Sequence, residues 1–407
     1  MTKSLSFLLP IAILLACTNP EKKSAPGDSA VVASDKPTMA SIRTGAQQID
    51  KYLPLLKGKK VGLSINNTSI IDGKLSMDTL IKLGVNVVKG FGPEHGFRGK
   101  ASAGAKIGDE TDQKTGVPLI SLYGSKYKPT VEDMKGIDVM VFDMQDVGVR
   151  FYTYLSTLHY IMEACAENNV ELIILDRPNP NDGYVDGPVR EADQESFVGK
   201  HAIPILHGLT FGEYAGMING EGWLPGKAKC KLTVIKMENY AHGMPYTLPI
   251  APSPNLNTQQ SILLYPSLCL FEGTVISQGR GTLFPFTVLG NPELKGKYEF
   301  SFKPVSIPGM SEKPPHMDKN CYGLDLRKYD TSIFTSTGRI NLTWLKEFYA
   351  AYPNKAAFFR AANFDRLAGT TKLRNQIIEG KSEEEIRKSW EPKLGQFKEM
   401  RKKYLLY

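Results

Sequence analysis

Residues 137–154 read IDVMVFDMQDVGVRFYTY. The first part, IDVMVFDM, is apolar at nearly every position, a pattern that fits a strand buried on both faces better than one with a wet side. The run then turns polar at Asp143, Gln145, Asp146 and Arg150 before an aromatic stretch opens a helical period near 153–168. The same grammar recurs on either side. KVGLSI (60–65) leads through a polar loop to a helix around 76–83, and VNVVKGF (85–91), VPLISLY (117–123) and VELIILD (170–176) are further short apolar runs. Strands of this kind separated by helices predict a Rossmann-like parallel sheet domain over 41–250. The resemblance to nucleotide-binding folds is architectural only. There is no G-x-G-x-x-G after the first strand, no G-x-x-x-x-G-K-[ST], and no G-x-S-x-G nucleophile elbow.

Past residue 250 the texture changes. Pro and Gly cluster in LPIAPSPN, a helix is expected near 258–271, and helical patterns close the chain in NLTWLKEFYAAY and SEEEIRKSWEPKLGQFKEMRKKY. A chain of 407 residues is too long for one small core. Residues 251–407 are therefore expected to form a second, smaller α+β auxiliary domain.

The first residues, MTKSLSFLLPIAILLACTNP, place Lys3 ahead of an apolar stretch from Leu5 to Ala16. That stretch is too short for an ordinary transmembrane helix, so residues 1–16 read as a signal peptide. The LLAC ending resembles a bacterial lipobox, which makes Cys17 the expected site of lipidation; an ordinary signal peptide with a chance cysteine is the competing reading. Residues 17–40, rich in Ser, Ala, Pro, Asp and Lys, form a tether. The expected location is the cell envelope, lipid-anchored and facing the periplasm or in the outer membrane.

The net charge of +8 comes from scattered basic residues, so no nucleic-acid surface is expected, and the charge points weakly to an anionic substrate or envelope polymer. Cys165, Cys230, Cys269 and Cys321 lack any C-x-x-C spacing and read as core thiols. The six histidines show no H-E-x-x-H. Neither a metal nor a cofactor is expected.

In an open parallel sheet, ligands bind beyond the carboxyl ends of the strands. Three runs deliver polar motifs to that edge: Glu94, His95 and Arg98 after VNVVKGFG; Asp143, Gln145, Asp146 and Arg150 after IDVMVF; Asp176, Arg177 and Asn179 after VELIIL. Arg150 beside Phe151, Tyr152 and Tyr154 suits a sugar bearing a carboxylate, because rings stack on its faces and a guanidinium takes the acid in two bonds. His207 precedes the helix opening TFGEYAG, and Asn255, Glu272, Arg280 and Thr282 lie in polar islands of the second half that reach for the crevice.

Each residue also has a plainer reading. Glu94 and Arg98 form a surface ion pair of little energetic weight. Asp146 or Thr153 caps the next helix. Phe151 and Tyr154 pack in the core, Thr210 and Glu213 make a capping box, and the second-half islands are tight turns. Pro93 and Gly96 favour function for the first loop, since a rigid loop with close backbone approach is not needed by a solvated ion pair.

As a set, GPEHGFRG (92–99), FDMQDVGVRFYTY (142–154), LDRPNP (175–180), IPILHGLTFGE (203–213), PSPN (252–255) and EGTVISQGRGTLFPF (272–286) resemble the exo-β-N-acetylmuramidases, long catalogued as a bacterial domain of unknown function. The resemblance spans roughly 45–400. It implies a Rossmann-like domain joined to a smaller one with the cleft between them. It further implies a peptidoglycan-recycling glycosidase that removes terminal N-acetylmuramic acid from the non-reducing end, with Glu94 as leading catalytic carboxylate. Glycoside hydrolysis needs an acid for the leaving oxygen and a base, nucleophile or substrate acetamido group at the anomeric carbon. Glu94 is the expected acid, with His95, Asp143 and Asp146 as further catalytic candidates. The carboxylate separation that decides between retention and inversion is not a property of sequence. Two other classes compete: a non-catalytic glycan-binding envelope lipoprotein, and a metal-dependent or esterase-like hydrolase of peptidoglycan substituents.

Overall fold

The computed structural model describes residues 41–93 and 108–407. Strands β1 (Lys60–Ile65), β2 (Asn86–Gly92), β3 (Glu110–Thr111), β4 (Pro118–Ser121), β5 (Val139–Asp143), β6 (Glu171–Leu175) and β7 (Leu232–Ile235) form one sheet of order β3-β4-β2-β1-β5-β6-β7. Every pairing is parallel except that of β3 with β4. Without that antiparallel edge the strands lie in the doubly wound order 3-2-1-4-5-6, whose switch point falls between β1 and β5. Ile65 is in register with Asp143 there, so the polar end of β5 opens at the crevice such sheets offer to ligands.

The non-alternating pattern of β5 has a direct cause. Val139 and Val141 face a core with Val61, Leu63 and Ile65 of β1, packed under helix α1 (Ile49–Leu56) and helix α2 (Ser76–Lys82). Met140 and Phe142 face the opposite core, with Leu158 and Ile161 of α3 (Tyr154–Glu167) and Phe211 of α4 (Phe211–Gly220). Two covered faces require apolar residues at both parities.

The second core continues into the rest of the chain through Leu264 and Leu268 of α5 (Gln259–Leu268), Phe348, and Trp390 and Phe397 of α6 (Glu383–Arg401). Strands β8 (Val288–Asn291), β9 (Phe300–Phe302) and β10 (Cys321–Asp325) add a small antiparallel sheet of order β8-β10-β9. Thus the α/β expectation, a parallel sheet followed by mixed elements, describes the molecule. Helix α5 ends at Leu268, short of the expected 271, and gives way to a 3₁₀ turn over Cys269–Gly273. Cys165, Cys230, Cys269 and Cys321 are buried free thiols. Among the described residues no helix is long and apolar enough to cross a membrane. Cys17 and the 17–40 tether lie outside the described residues.

Candidate functional site

The carboxyl end of β5 is braced from β1. The loop Asn66–Ser69 leaves β1 and folds under β5: Ser69 Oγ donates to the Asp143 carbonyl, and the Gln145 N–H donates to Thr68 Oγ1 at 3.0 Å. Thr68 Oγ1 in turn donates to Asn66 Oδ1 at 2.6 Å, so every hydroxyl of this short loop is committed to shaping the switch point. Arg177, at the end of β6, donates from Nε to Asp143 Oδ1 at 2.6 Å and from Nη2 to the Ile70 carbonyl at 2.9 Å. With Asp143 fully buried and Arg177 4% exposed, this pair is an internal clamp between neighbouring strands. Removal of either partner would strand a charge.

Several residues expected to touch substrate are instead committed to the fold. Arg150 is 2% exposed and donates to the carbonyls of Pro188, Ile203 and Leu367, each at 2.8 Å. Burial, with Arg190 beside it, pulls its pKa down. A guanidinium whose Nη1 and Nη2 donate to three carbonyls ties together the segments that carry them. Gln145 donates to the carbonyls of Asp146 and Pro178. Asn179 donates to the Leu209 carbonyl and accepts from the Asn181 N–H. Asp176 accepts from Thr210 Oγ1, the Gly212 N–H and the Tyr407 hydroxyl, anchoring the amino end of α4. Burial pushes Asp176 up to about 6 against the pull of those hydrogen bonds. Thr282 is a turn residue, donating to the Gly279 carbonyl and accepting from the Phe284 N–H.

His207 is fully buried. Its Nδ1 accepts from the Leu209 N–H at 3.1 Å, which places the proton of the neutral ring on Nε2. That nitrogen lies 3.4 Å from Asp146 Oδ2, near enough for charge attraction but off the line of a formed hydrogen bond. Asp146 does not cap α3. Its Oδ2 accepts from the Gly148 N–H at 3.1 Å, and Oδ1 has no partner among the described residues.

Other motifs do converge. Tyr152 and Tyr154 from the aromatic run, Asn255 from PSPN, Tyr265 from α5, and Arg280 and Phe286 from QGRGTLFPF line a cavity of about 70 Å³. The walls interlock: Tyr265 meets Phe151 and Phe286 edge to face at 5.3 and 4.9 Å, and the Tyr152 hydroxyl donates to the Pro252 carbonyl at 2.9 Å. Arg280 donates from Nε to Glu272 Oε1 at 2.6 Å and lies 5.1 Å above the Phe286 ring. Its Nη1 and Nη2 have no hydrogen-bond partner among the described residues, so Arg280 retains the free edge that Arg150 lacks. Tyr265 is a wall that local pattern could not single out, since its aromatic side chain sits in an ordinary helical period.

A second polar cluster also escaped sequence reasoning. His242 Nδ1 lies 2.7 Å from Asp182 Oδ2 and its Nε2 lies 2.8 Å from Glu213 Oε1. Burial alone would lower its pKa, but the two carboxylates raise it to about 9. Glu213 caps α4 through Thr210 as its T-x-x-E spacing predicts, and its other oxygen serves His242 and the Leu406 N–H. The residues are 29 and 60 positions apart, so no local spacing could reveal the cluster.

Glu94, His95 and Arg98 lie outside the described residues. Strand β2 itself ends at Gly92, on the same edge of the sheet as Asp143. Among the described residues no group of three or more His, Cys, Asp or Glu side chains is disposed to hold a metal ion.

Two family models cover nearly all of the described chain: that of exo-beta-N-acetylmuramidase NamZ, N-terminal, matches residues 61–260, and its C-terminal counterpart matches residues 263–407. A peptidoglycan beta-N-acetylmuramidase NamZ from Bacillus subtilis (strain 168) is 40% identical over 407 residues, covering 94% of this chain and 95% of that protein. Two crystal structures of DUF1343 family proteins from Bacteroides fragilis NCTC 9343 superpose with TM-scores of 0.84 and 0.78, at 44% and 32% identity. Each match covers 90% of this chain and 99% of the other.

Proposed function

The chain belongs to the NamZ exo-β-N-acetylmuramidase family, and from that premise we propose that it is a glycoside hydrolase releasing terminal N-acetylmuramic acid from the non-reducing end of peptidoglycan fragments such as MurNAc-GlcNAc. The observation that carries the reading is 40% identity to a peptidoglycan muramidase across almost the whole length of both chains. The cavity is consistent with it: aromatic walls, one guanidinium with a free edge, and burial that strengthens each polar contact.

In this reading Glu94 protonates the glycosidic oxygen as the bond to the anomeric carbon breaks, and water supplies the hydroxyl that the carbon gains. Asp143 and Asp146, each with one unpartnered oxygen among the described residues, are the candidates for the second group. Arg280 takes the lactyl carboxylate of the muramyl sugar through its free Nη edge, and Glu272 holds it in place. The lipobox-like LLAC supports a mature protein anchored by lipid at Cys17 on the periplasmic side of the envelope.

The test is release of free N-acetylmuramic acid from MurNAc-GlcNAc by the purified protein, with and without EDTA. Release indifferent to EDTA fits the glycosidase. No release leaves a glycan-binding lipoprotein, and release abolished by EDTA points to a metal-dependent hydrolase.

A further inference from the structure

Asn255 is 2% exposed, and its side chain is fixed in one orientation. Nδ2 donates to the Met310 carbonyl at 2.9 Å. Only the amide nitrogen can face a carbonyl oxygen, so the network itself decides which end is which. The other end, Oδ1, is buried and has no partner among the described residues, although Asn255 lines the cavity. A buried acceptor left unpaired has given up water without gaining a partner, which is unfavourable until a donor reaches it. The tight turn that carries it is well determined, with the Leu256 N–H donating to the Ser253 carbonyl at 3.1 Å and the Pro252 carbonyl held by Tyr152.

The surroundings narrow what completes this acceptor. Leu256, Tyr265 and Phe286 present apolar side chains to the same cavity, and Arg280 lines it as a donor. A water molecule needs about 10–15 Å³ of such space, so a volume of about 70 Å³ takes about five non-hydrogen atoms. That is a ring substituent and not a pyranose. An acylated amine matches each feature: an N–H for Asn255 Oδ1, a methyl for the apolar wall and a carbonyl within the field of a guanidinium. A free hydroxyl would satisfy the acceptor but leave the apolar wall facing nothing. A free amine would bring a cation next to Arg280.

We propose that Asn255 is a specificity-determining residue that accepts a hydrogen bond from the 2-acetamido N–H of the muramyl sugar, whose methyl packs against Leu256, Tyr265 and Phe286. The inference rests on the muramidase reading and deepens it. The acetamido and lactyl groups are borne on adjacent ring carbons, so Asn255 and Arg280 read neighbouring substituents of one sugar. In this arrangement the enzyme discriminates at carbon 2 by an acceptor and at carbon 3 by a cation.

The test uses binding, so that any part the acetamido group plays in the chemistry does not enter. Isothermal titration calorimetry on the full protein compares N-acetylmuramic acid with its 2-O-acetyl counterpart, which keeps the carbonyl and methyl but replaces N–H by an oxygen. The wild type is expected to bind the amide at least about tenfold more tightly, since the ester sets two acceptors against each other. Asn255→Ala is expected to bring the ratio near one, and Asn255→Leu, which keeps the branched shape of the side chain while withdrawing the acceptor, does the same where the alanine variant does not fold. Equal binding of the two sugars by the wild type overturns the proposal, as does an undiminished preference in a folded Asn255 variant. Failure of the muramidase reading is a separate result, namely no release of N-acetylmuramic acid from the disaccharide by the wild type.

Discussion

His207 Nε2 lies 3.4 Å from Asp146 Oδ2, both groups being all but sealed from water, and the Leu209 N–H on Nδ1 fixes the ring with its Nε2 on the side of that carboxylate. The histidine therefore positions Asp146 from behind. His207→Phe fills the space but leaves the Leu209 N–H unpaired and Asp146 without its neighbour. The expected loss is about 1–3 kcal/mol of stability, read as a lower urea midpoint at unchanged m-value. An unchanged midpoint would show that the contact carries no energy.

Arg150 and Arg280 part in what they hold. Arg280→Gln is expected to raise KM for a muramyl substrate and to erode preference over a glucosaminyl one, with little change in melting temperature. Arg150→Gln should do the reverse, because three buried carbonyls lose their donors. Its melting temperature falls by several degrees while KM of the folded fraction stays put. Swapped phenotypes would refute the assignment of Arg280 to the lactyl carboxylate.

His242 gives stability a pH dependence of definite sign. Its pKa in the folded protein is raised to about 9 from an ordinary value near 6.5, because Asp182 and Glu213 outweigh the effect of burial. The charged ring's contribution is complete below pH 6.5 and is lost as pH rises through 9, and for a side chain 16% exposed it amounts to about 3 kcal/mol. Tyr240, Tyr407 and Arg401 also surround the cluster. Asp176, raised to about 6, acts with the same sign over the lower window between about 4 and 6. Thermal melting between pH 6.5 and 9 should show the wild type losing stability faster than His242→Gln. Parallel curves would mean that the ring is not the titrating group.

Cys17→Ser is expected to leave the protein soluble or unprocessed in the cell, because acylation needs the thiol. Mass spectrometry of the mature wild type should find a lipid-modified residue 17 at its amino terminus. An unmodified terminus elsewhere contradicts anchoring.

The fold was legible because a doubly covered parallel sheet writes itself into sequence. KVGLSI, VNVVKGF and VELIILD each lie within a residue of an observed strand. Strand β7 was missed because LTVI is short, only half-buried and flanked by Lys231 and Lys236. Helix α1 was hidden by Pro54 in its interior. The site was read less well, for a different reason. A polar residue at a strand's carboxyl end is needed both by ligands and by the loops that must be tied down there. Arg177, Asn179 and Asp176 turned out to tie loops. Only the presence or absence of a backbone partner separates the two uses, and that depends on residues far away in sequence, such as the Leu367 carbonyl that Arg150 meets.

Glu94→Gln tests the center of the mechanism. The substitution keeps the side chain's shape and removes the transferable proton, so folding and sugar binding should hold while kcat on MurNAc-GlcNAc falls by about 10² to 10⁴. A nucleophile's loss would look the same on that substrate alone. The two roles part on an aryl muramide with a good leaving group, whose departure needs little protonation. There an acid's variant regains much of its rate, whereas a nucleophile's variant stays impaired on both. If Glu94→Gln keeps more than about a tenth of wild-type kcat on the disaccharide, too much for a missing general acid, then protonation comes from elsewhere. Asp146 becomes the first group to replace, because its Oδ1 is uncommitted among the described residues and His207 stands behind it.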